Sequence, residues 1–441
     1  MARISDLDKN FRFCKVPFYD FTADDETLLQ PEMMDGQNIT VENEEIYFHK
    51  FEREGKFLST QIMVKKGIIS KPKLLKRAIP ECSYGAQNYI ITDNIVDAEY
   101  GELVLKGLRS VGLQVEKISI DAINEDEAGM TSTEPSKNVK TTINLINKIL
   151  EIGISKNTSI ISLGGGVVNN ICGTIASLLY RGIHLVHITT TTMGMFDAAT
   201  DFKQAINHSV GKNLIGSYYP ADTIVIDPET VASLPERHII NGIGEALKHG
   251  LCQSMDLTKQ ICDPLAEHGI EHVKDADYIE KLCKLCLEIK IPTLNHYAES
   301  NYNEMVPQYG HAIAHAIEHV SWSGEKHSPL LHGEAVAIGM CVSAEVALLM
   351  GKCDQKTVDE HYEYVKKAYL PTFVPDSISI EDVFHAIVRD KHYVKMPVIG
   401  LCQEIGNMAR HENSFAFQVE TADLEKALKI NMKRRDEEKQ I

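Results

Sequence analysis

The sequence predicts an α/β fold made of an N-terminal Rossmann-like domain and a C-terminal all-helical domain. Three observations carry that expectation. Up to about residue 230, short β-branched runs alternate with segments able to form helices; a glycine triplet marks one strand-to-helix junction; and beyond that point helical patterns run to the end of the 441-residue chain. Such alternation is the mark of a parallel sheet, whose neighbouring strands need crossover connections rather than tight turns.

Taken in order, residues 1–57 are polar and acidic, with aromatic residues scattered through KVPFYDF and EEIYFHKF but no sustained period. They read as an extension that packs on the main body or is partly disordered. Within 58–230 the runs TQIMVKKG, NYIITD, LQVEKISI, TSIISLGGG, HLVHITTTT and DTIVIDP supply the expected strands, and VKTTINLINKILEIG is one of the helices that separate them. Residues 231–441 form the helical domain, interrupted at Pro371 to Pro375 and ending in the charged, solvated run Lys433 to Lys439. In such an arrangement the site is expected in the cleft between the domains.

Composition narrows the function. The 45 Lys and Arg against 62 Asp and Glu give a net charge of −17, which supplies no field for a nucleic-acid backbone, so any cationic pocket must be local. A membrane span needs about 18 uncharged apolar residues, and the most apolar run, Ala335 to Met350, is broken by Glu345. The charged start, Met1 to Arg12, lacks a leader pattern, and the 10 cysteines show no disulfide spacing, so a cytoplasmic enzyme is expected. The Cys283 and Cys286 pair lies in KLCKLCLEIK, whose helical period argues for a buried helix face over a metal or redox site.

Three motifs carry chemistry. SLGGGVVNN places Gly164, Gly165 and Gly166 between an apolar strand and a helical run, where a backbone can approach a pyrophosphate at a helix N-terminus. The spacing is not GxGxxG, and a glycine triplet also serves any tight turn. Asp197, Asp201 and Lys203 in FDAATDFKQAIN, Lys212 and Asn213 in VGKNLIG, and Arg181 at the end of SLLYRG are either loop charges or a phosphate clamp. Third come Glu245 in GIGEALKHG, His311 and His315 in YGHAIAHAIEH, and His332 in LLHGEAVAIGM. One carboxylate and two imidazoles form a ligand set for zinc or a related divalent ion. With His319, His311 and His315 also make an i, i+4, i+8 row, and a surface histidine stripe is the competing reading.

From about residue 58 to 430 the order of these motifs resembles the sugar phosphate cyclases, the group of dehydroquinate synthase and its relatives. The matching residues are GGGVVNN, Arg181-Gly182, Thr190-Thr191, Asp197, Lys203, Gly211-Lys212-Asn213, Glu245 to Lys248, GHAIAHAIE and HGEAVAIGM. The resemblance implies a metal held by Glu245, His311 and His332, with zinc or cobalt as the ion. It places Asp197 and Lys248 on substrate hydroxyls, and Arg181, Lys203, Asn213 and His315 around the phosphate, Arg181 reaching in from the second subunit of a homodimer. Asp93, Glu134, Lys137, Gly164 to Gly166, Asn170, Thr190, Thr191 and Lys212 would hold NAD, and Lys290 and Lys391 would add basic groups on the substrate. The implied reaction removes hydride to NAD, eliminates phosphate with help from His315, returns the hydride and closes a carbocycle by an intramolecular aldol step.

Departures from the pattern select the substrate. Dehydroquinate synthases bind a substrate carboxylate with an arginine and an asparagine where this chain has Glu304 and Gln308. A glutamate would repel that carboxylate. Valiolone-type cyclases of sedoheptulose 7-phosphate replace the second histidine of GHxxxH by proline, whereas His315 is present. Asn170, Glu304 and the KQAIN stretch instead resemble 2-deoxy-scyllo-inosose synthase, which cyclises glucose 6-phosphate in aminocyclitol pathways. The alternatives from other classes are a metal-dependent polyol dehydrogenase, which has no need of a phosphate site, and a non-catalytic partner-binding relative.

Overall fold

The computed structural model describes residues 39–42, 46–53, 56–124, 131–208, 211–294, 305–323, 329–388, 393–394, 396–411 and 414–439. The chain divides into two compact units. The first runs to Pro235 and adds Lys274–Lys284; the second takes Glu236–Val273 and everything from Leu285 onward.

The first unit is organised by an eight-stranded sheet. Its strands are β1 (Ile39–Glu42), β2 (Ile46–Arg53), β3 (Lys56–Val64), β4 (Gln87–Asp93), β5 (Gln114–Ile120), β6 (Ser159–Gly164), β7 (His184–Thr189) and, after a separate hairpin of β8 (Lys203–His208) and β9 (Gly211–Tyr218), β10 (Thr223–Ile226). The order across the sheet is β1-β2-β3-β10-β7-β6-β4-β5. The strands from β3 to β5 in that order all pair in parallel, while β1 and β2 join antiparallel at the edge. The six runs expected as strands are these six parallel strands. The central ones are buried along nearly their whole length, which is why they read as continuous apolar runs.

The expectation for residues 1–57 needs amending. Ile39–Glu42 and Ile46–Arg53 are strands of the sheet, and β3 opens within the expected extension, at Lys56; the remainder of that segment lies outside the described residues. Helices α1 (Pro72–Ala78), α2 (Glu102–Ser110), α3 (Val139–Ile152) and α4 (Gly166–Leu178) supply the crossovers. A core of Ile68, Leu75, Val104, Leu108, Ile90, Ile161 and Val186 fills the space between helices and sheet on one face. Each such side chain, fully buried, contributes roughly 1.5–3 kcal/mol.

The second unit is helical: α5 (Glu236–Gln253), α6 (Met255–His268), α7 (Ala276–Leu294, shared with the first unit), α8 (His311–Ser323), α9 (His332–Leu349), α10 (Gln355–Lys367), α11 (Ile380–Ile387) and α12 (Thr421–Glu438). It is not wholly helical, because Met396–Gly400 pairs with Ala416–Gln418 and Cys402–Glu404 with Asn407–Met408. Helix α9 is long and apolar enough to cross a membrane by length and composition, but 83% of it is buried inside this unit, so it serves as the core helix. Cys283 and Cys286 are fully buried on α7, as the helical period predicts.

Candidate active site

In the first unit the predicted nucleotide residues gather at the carboxyl ends of the parallel strands. Asp93 ends β4, Gly164 ends β6, and Thr190 follows β7. Gly165 caps α4, and a side chain there would put its Cβ 2.8 Å from Thr191, so the close packing of the two loops requires glycine. The Thr190 N–H donates to the Gly164 carbonyl at 3.1 Å, tying those loops together. Asp93 accepts from the N–H groups of Ile95 and Val96 at 3.0 and 2.9 Å. Burial raises its carboxyl above the usual range, against the pull of those two donors.

Residues of the β8–β9 hairpin engage Glu134 and Lys137 beside them. Lys137 Nζ donates to Asn213 Oδ1 at 2.7 Å, Lys212 lies 3.3 Å from Glu134 Oε1, and Asn207 donates to the same oxygen at 2.8 Å. Asn170 donates to the Gly166 carbonyl at 2.9 Å and accepts from the Ala205 N–H at 3.1 Å, so it fastens the hairpin to α4. Asp197 lies in the helical turn Gly194–Ala198, and Lys203 opens β8. Arg181 is exposed and left-handed (φ 63°), next to Tyr180 (φ 50°), just ahead of β7. Glu304 and Lys391 lie outside the described residues.

The second unit brings the predicted metal ligands together. Glu245 and Lys248 lie in the middle of α5, His311 starts α8, and His332 starts α9. Glu245 Oε1 is 3.1 Å from His332 Nε2 and 3.5 Å from His311 Nε2, and the three ligand atoms fall within 4.8 Å of one another. Glu245 is fully buried and His311 is 5% exposed, which removes the reading of a surface histidine stripe. The His315 ring stands 5.4 Å from that of His311 and 5.9 Å from that of His332, bordering the ligand set. Lys248 donates to Glu245 Oε2 at 2.5 Å. Gln308 closes the turn into α8 through its carbonyl, which accepts from the His311 N–H at 3.0 Å, and Lys290 is buried on α7.

Burial alone would raise the Glu245 carboxyl, but the Lys248 ammonium and His311 outweigh it and hold the group well below the usual range. Burial pulls the His311 imidazole down to about 4, with Glu245 opposing. For His332 burial acts the same way, but Glu318 and Glu245 prevail and push it up to about 10. A metal ion needs both imidazoles neutral, so its binding would displace the proton held at His332.

Glu318 is the residue that sequence reasoning missed. Its Oε2 lies 3.0 Å from His332 Nδ1, and it is 4% exposed. A carboxylate only accepts, so Nδ1 carries the proton and Nε2 is turned toward Glu245. The signal was present in the spacing, because Glu318 sits seven residues after His311 and three after His315, on the same helix face. His311 is aimed similarly, its Nδ1 donating to the Tyr309 carbonyl at 3.1 Å. Arg237 on α5 grips Glu334 through two bonds of 2.7 and 2.9 Å, and Asn241 accepts from the Gly333 N–H at 2.6 Å, so the start of α9 is fastened to the helix that carries Glu245. Gly244 faces the Gly333 backbone, where a Cβ would come within 2.6 Å of the carbonyl oxygen.

Comparison with known proteins agrees with this architecture. The family model of the 3-dehydroquinate synthase N-terminal region matches residues 127–241, and that of the C-terminal region matches residues 242–393. The 3-dehydroquinate synthase of Desulforamulus reducens is 30% identical over 318 residues, 72% of this chain and 83% of that one. The 2-deoxy-scyllo-inosose synthase of Streptomyces paromomycinus is 34% identical over 268 residues, 60% of this chain and 66% of that one. A crystal structure of 2-deoxy-scyllo-inosose synthase complexed with carbaglucose-6-phosphate, NAD+ and Co2+ superposes with a TM-score of 0.74 at 21% identity, covering 87% of this chain and 100% of that one. The chain belongs to the 3-dehydroquinate synthase family of sugar phosphate cyclases.

Proposed function

We propose that this chain uses NAD and a divalent ion, zinc or cobalt, to convert glucose 6-phosphate to 2-deoxy-scyllo-inosose and inorganic phosphate. The observation that carries the reading is Glu245 Oε1: it is buried and is faced by two imidazole nitrogens at 3.1 and 3.5 Å. A buried carboxylate oxygen on which two ring nitrogens converge fits a divalent ion. At the carboxyl edge of the sheet, Thr190 Oγ1 is buried without a hydrogen bond among the described residues, beside the glycine turn, which fits a dinucleotide. The neighbour crystallised with carbaglucose-6-phosphate, NAD+ and Co2+ supports the same ligands.

Glu245, His311 and His332 would hold the ion, which would supply positive charge to stabilise a developing oxyanion. Asp93, Glu134, Lys137, Gly164 to Gly166, Asn170, Thr190, Thr191 and Lys212 would hold NAD, which would supply a hydride acceptor. The chain's own groups do the rest. Asp197 and Lys248 orient substrate hydroxyls. Lys203, Asn213 and His315, with Arg181 from a second copy in a homodimer, neutralise the phosphate as it leaves, and His315 assists removal of the proton next to the new ketone. Lys290, Gln308 and Lys391 bound the distal end of the substrate. Glu304 stands where a carboxylate-binding arginine would be needed for dehydroquinate synthesis, which disfavours an acidic sugar.

The test is a substrate panel. With NAD and cobalt or zinc, phosphate release and product mass are compared for glucose 6-phosphate, sedoheptulose 7-phosphate and the dehydroquinate precursor. Turnover of glucose 6-phosphate is expected; turnover of either other sugar alone would overturn the substrate.

A further inference from the structure

A second set of reactive side chains lies in the first unit, at the end of the sheet away from the glycine turn. Cys82 sits in the short helical turn Glu81–Ser83 that leads toward β4, and its Sγ is 3.1 Å from His184 Nε2. His184 is the first residue of β7, and its Nδ1 is 3.2 Å from Asp222 Oδ1. Asp222 is itself fixed: its Oδ2 accepts from the Leu185 N–H at 2.9 Å, and its own N–H donates to the Leu185 carbonyl at 2.8 Å.

The chemistry of the three groups sets the protons. A carboxylate can only accept, so His184 carries its proton on Nδ1, and the Nε2 lone pair is left facing the Cys82 thiol. Thiol, base and orienting carboxylate therefore stand in the order used by activated cysteine nucleophiles. The arrangement is a relay rather than a metal site, because sulfur and carboxylate lie against opposite nitrogens of one ring and do not converge.

Exposure separates this thiol from the others. Among the nine described cysteines Cys82 is the exposed one; seven are buried and Cys353 is half-buried. Burial pushes the thiols of Cys252 and Cys262 up to about 12 and that of Cys353 up to about 11, which leaves them inert. The site is also remote from the nucleotide loops. β6 and β7 pair Ser159 with His184 at one end and Gly164 with Thr189 at the other, a separation of about 16 Å at the rise of a parallel strand.

We propose that Cys82 is a thiol-modification site, activated by His184 and aimed by Asp222, whose reagent is a low-molecular-weight disulfide. His184 Nε2 takes the thiol proton, and the thiolate attacks one sulfur of the disulfide. The reagent's S–S bond breaks as the Cys82 mixed disulfide forms, and the departing thiolate recovers the proton from the imidazolium. One disulfide is consumed, one is formed, and one thiol is released. A thiol that opens to solvent on a surface turn suits a small soluble reagent of this class.

The experiment treats the full chain with oxidised glutathione and, separately, with iodoacetamide at neutral pH, and locates adducts by intact mass and peptide mapping. An unassisted thiol is only a few per cent thiolate at pH 7, so Cys82 in the folded protein should react about tenfold faster than in the urea-unfolded chain. His184→Gln or Asp222→Asn should bring the folded rate down to the unfolded one, while thermal melting reports that each variant is folded. Equal rates in the folded and unfolded wild-type chain would overturn the proposal, and so would an unchanged rate in a folded His184→Gln. The wild-type comparison decides the matter even if both variants fail to fold.

Discussion

Glu318 and His332 form the support on which the metal set stands: the carboxylate fixes His332 Nδ1 at 3.0 Å, leaving Nε2 3.1 Å from Glu245. Removing it should free the ring without deleting a ligand. Glu318→Leu is expected to weaken zinc or cobalt binding by roughly 10–100-fold, and Glu318→Gln, which keeps an accepting oxygen, by less. Competition with a chromophoric chelator measures this without reference to turnover. Equal affinity in the wild type and Glu318→Leu would show that His332 needs no such support.

Helices α5 and α9 cross where Gly244 faces Gly333, and a Cβ on Gly244 would come within 2.6 Å of the Gly333 carbonyl oxygen. Gly244→Ala should therefore force the helices apart at a cost of about 1–3 kcal/mol. Because Glu245 is the next residue, metal affinity should fall with stability. A variant as stable as the wild type would contradict the close approach.

Acid should destabilise the protein through two neutral histidines. Burial pulls His187 down to about 3 and His361 down to about 4, from an ordinary value of 6.5. Their stabilisation is complete above 6.5 and is lost as pH falls from there toward 3–4, because in that window the unfolded chain binds protons that the folded chain refuses. Each buried histidine contributes a slope of up to about 1.4 kcal/mol per pH unit. Urea titrations at several pH values should show this limb, flattened in His187→Gln; an unchanged slope would remove His187 from the account.

Substrate selection through Glu304 predicts that Glu304→Arg lowers kcat/KM for glucose 6-phosphate at least tenfold, by placing a cation where the native chain holds an anion. Intact turnover of glucose 6-phosphate in that variant would end the role assigned to this position.

Much of this architecture is legible in the sequence, for physical reasons. The central parallel strands are buried on both faces, so NYIITD and TSIISLGGG stand out as apolar runs, and the pairing of His311 with His315 on one face follows from helical geometry alone. The edge strands Ile46–Arg53 and Ile39–Glu42 were lost because IYFHKFER mixes charged with apolar residues and carries no such run. Short pairs such as Cys402–Glu404 with Asn407–Met408 are too brief for any period to register. At the site, residue types identified the ligands. Partners joined by tertiary structure stayed hidden: Arg237 meets Glu334, 97 positions away, and Lys137 meets Asn213, 76 positions away.

The central claim is a cyclisation that leaves NAD unchanged in net terms. Its most direct test follows phosphate release and NADH absorbance together while glucose 6-phosphate is turned over with substoichiometric NAD and cobalt. Many equivalents of phosphate per NAD, with no lasting NADH signal and with both processes abolished in Glu245→Ala, is the predicted result. NADH accumulating in step with substrate consumption, without phosphate, would contradict it and assign the chain to simple polyol oxidation.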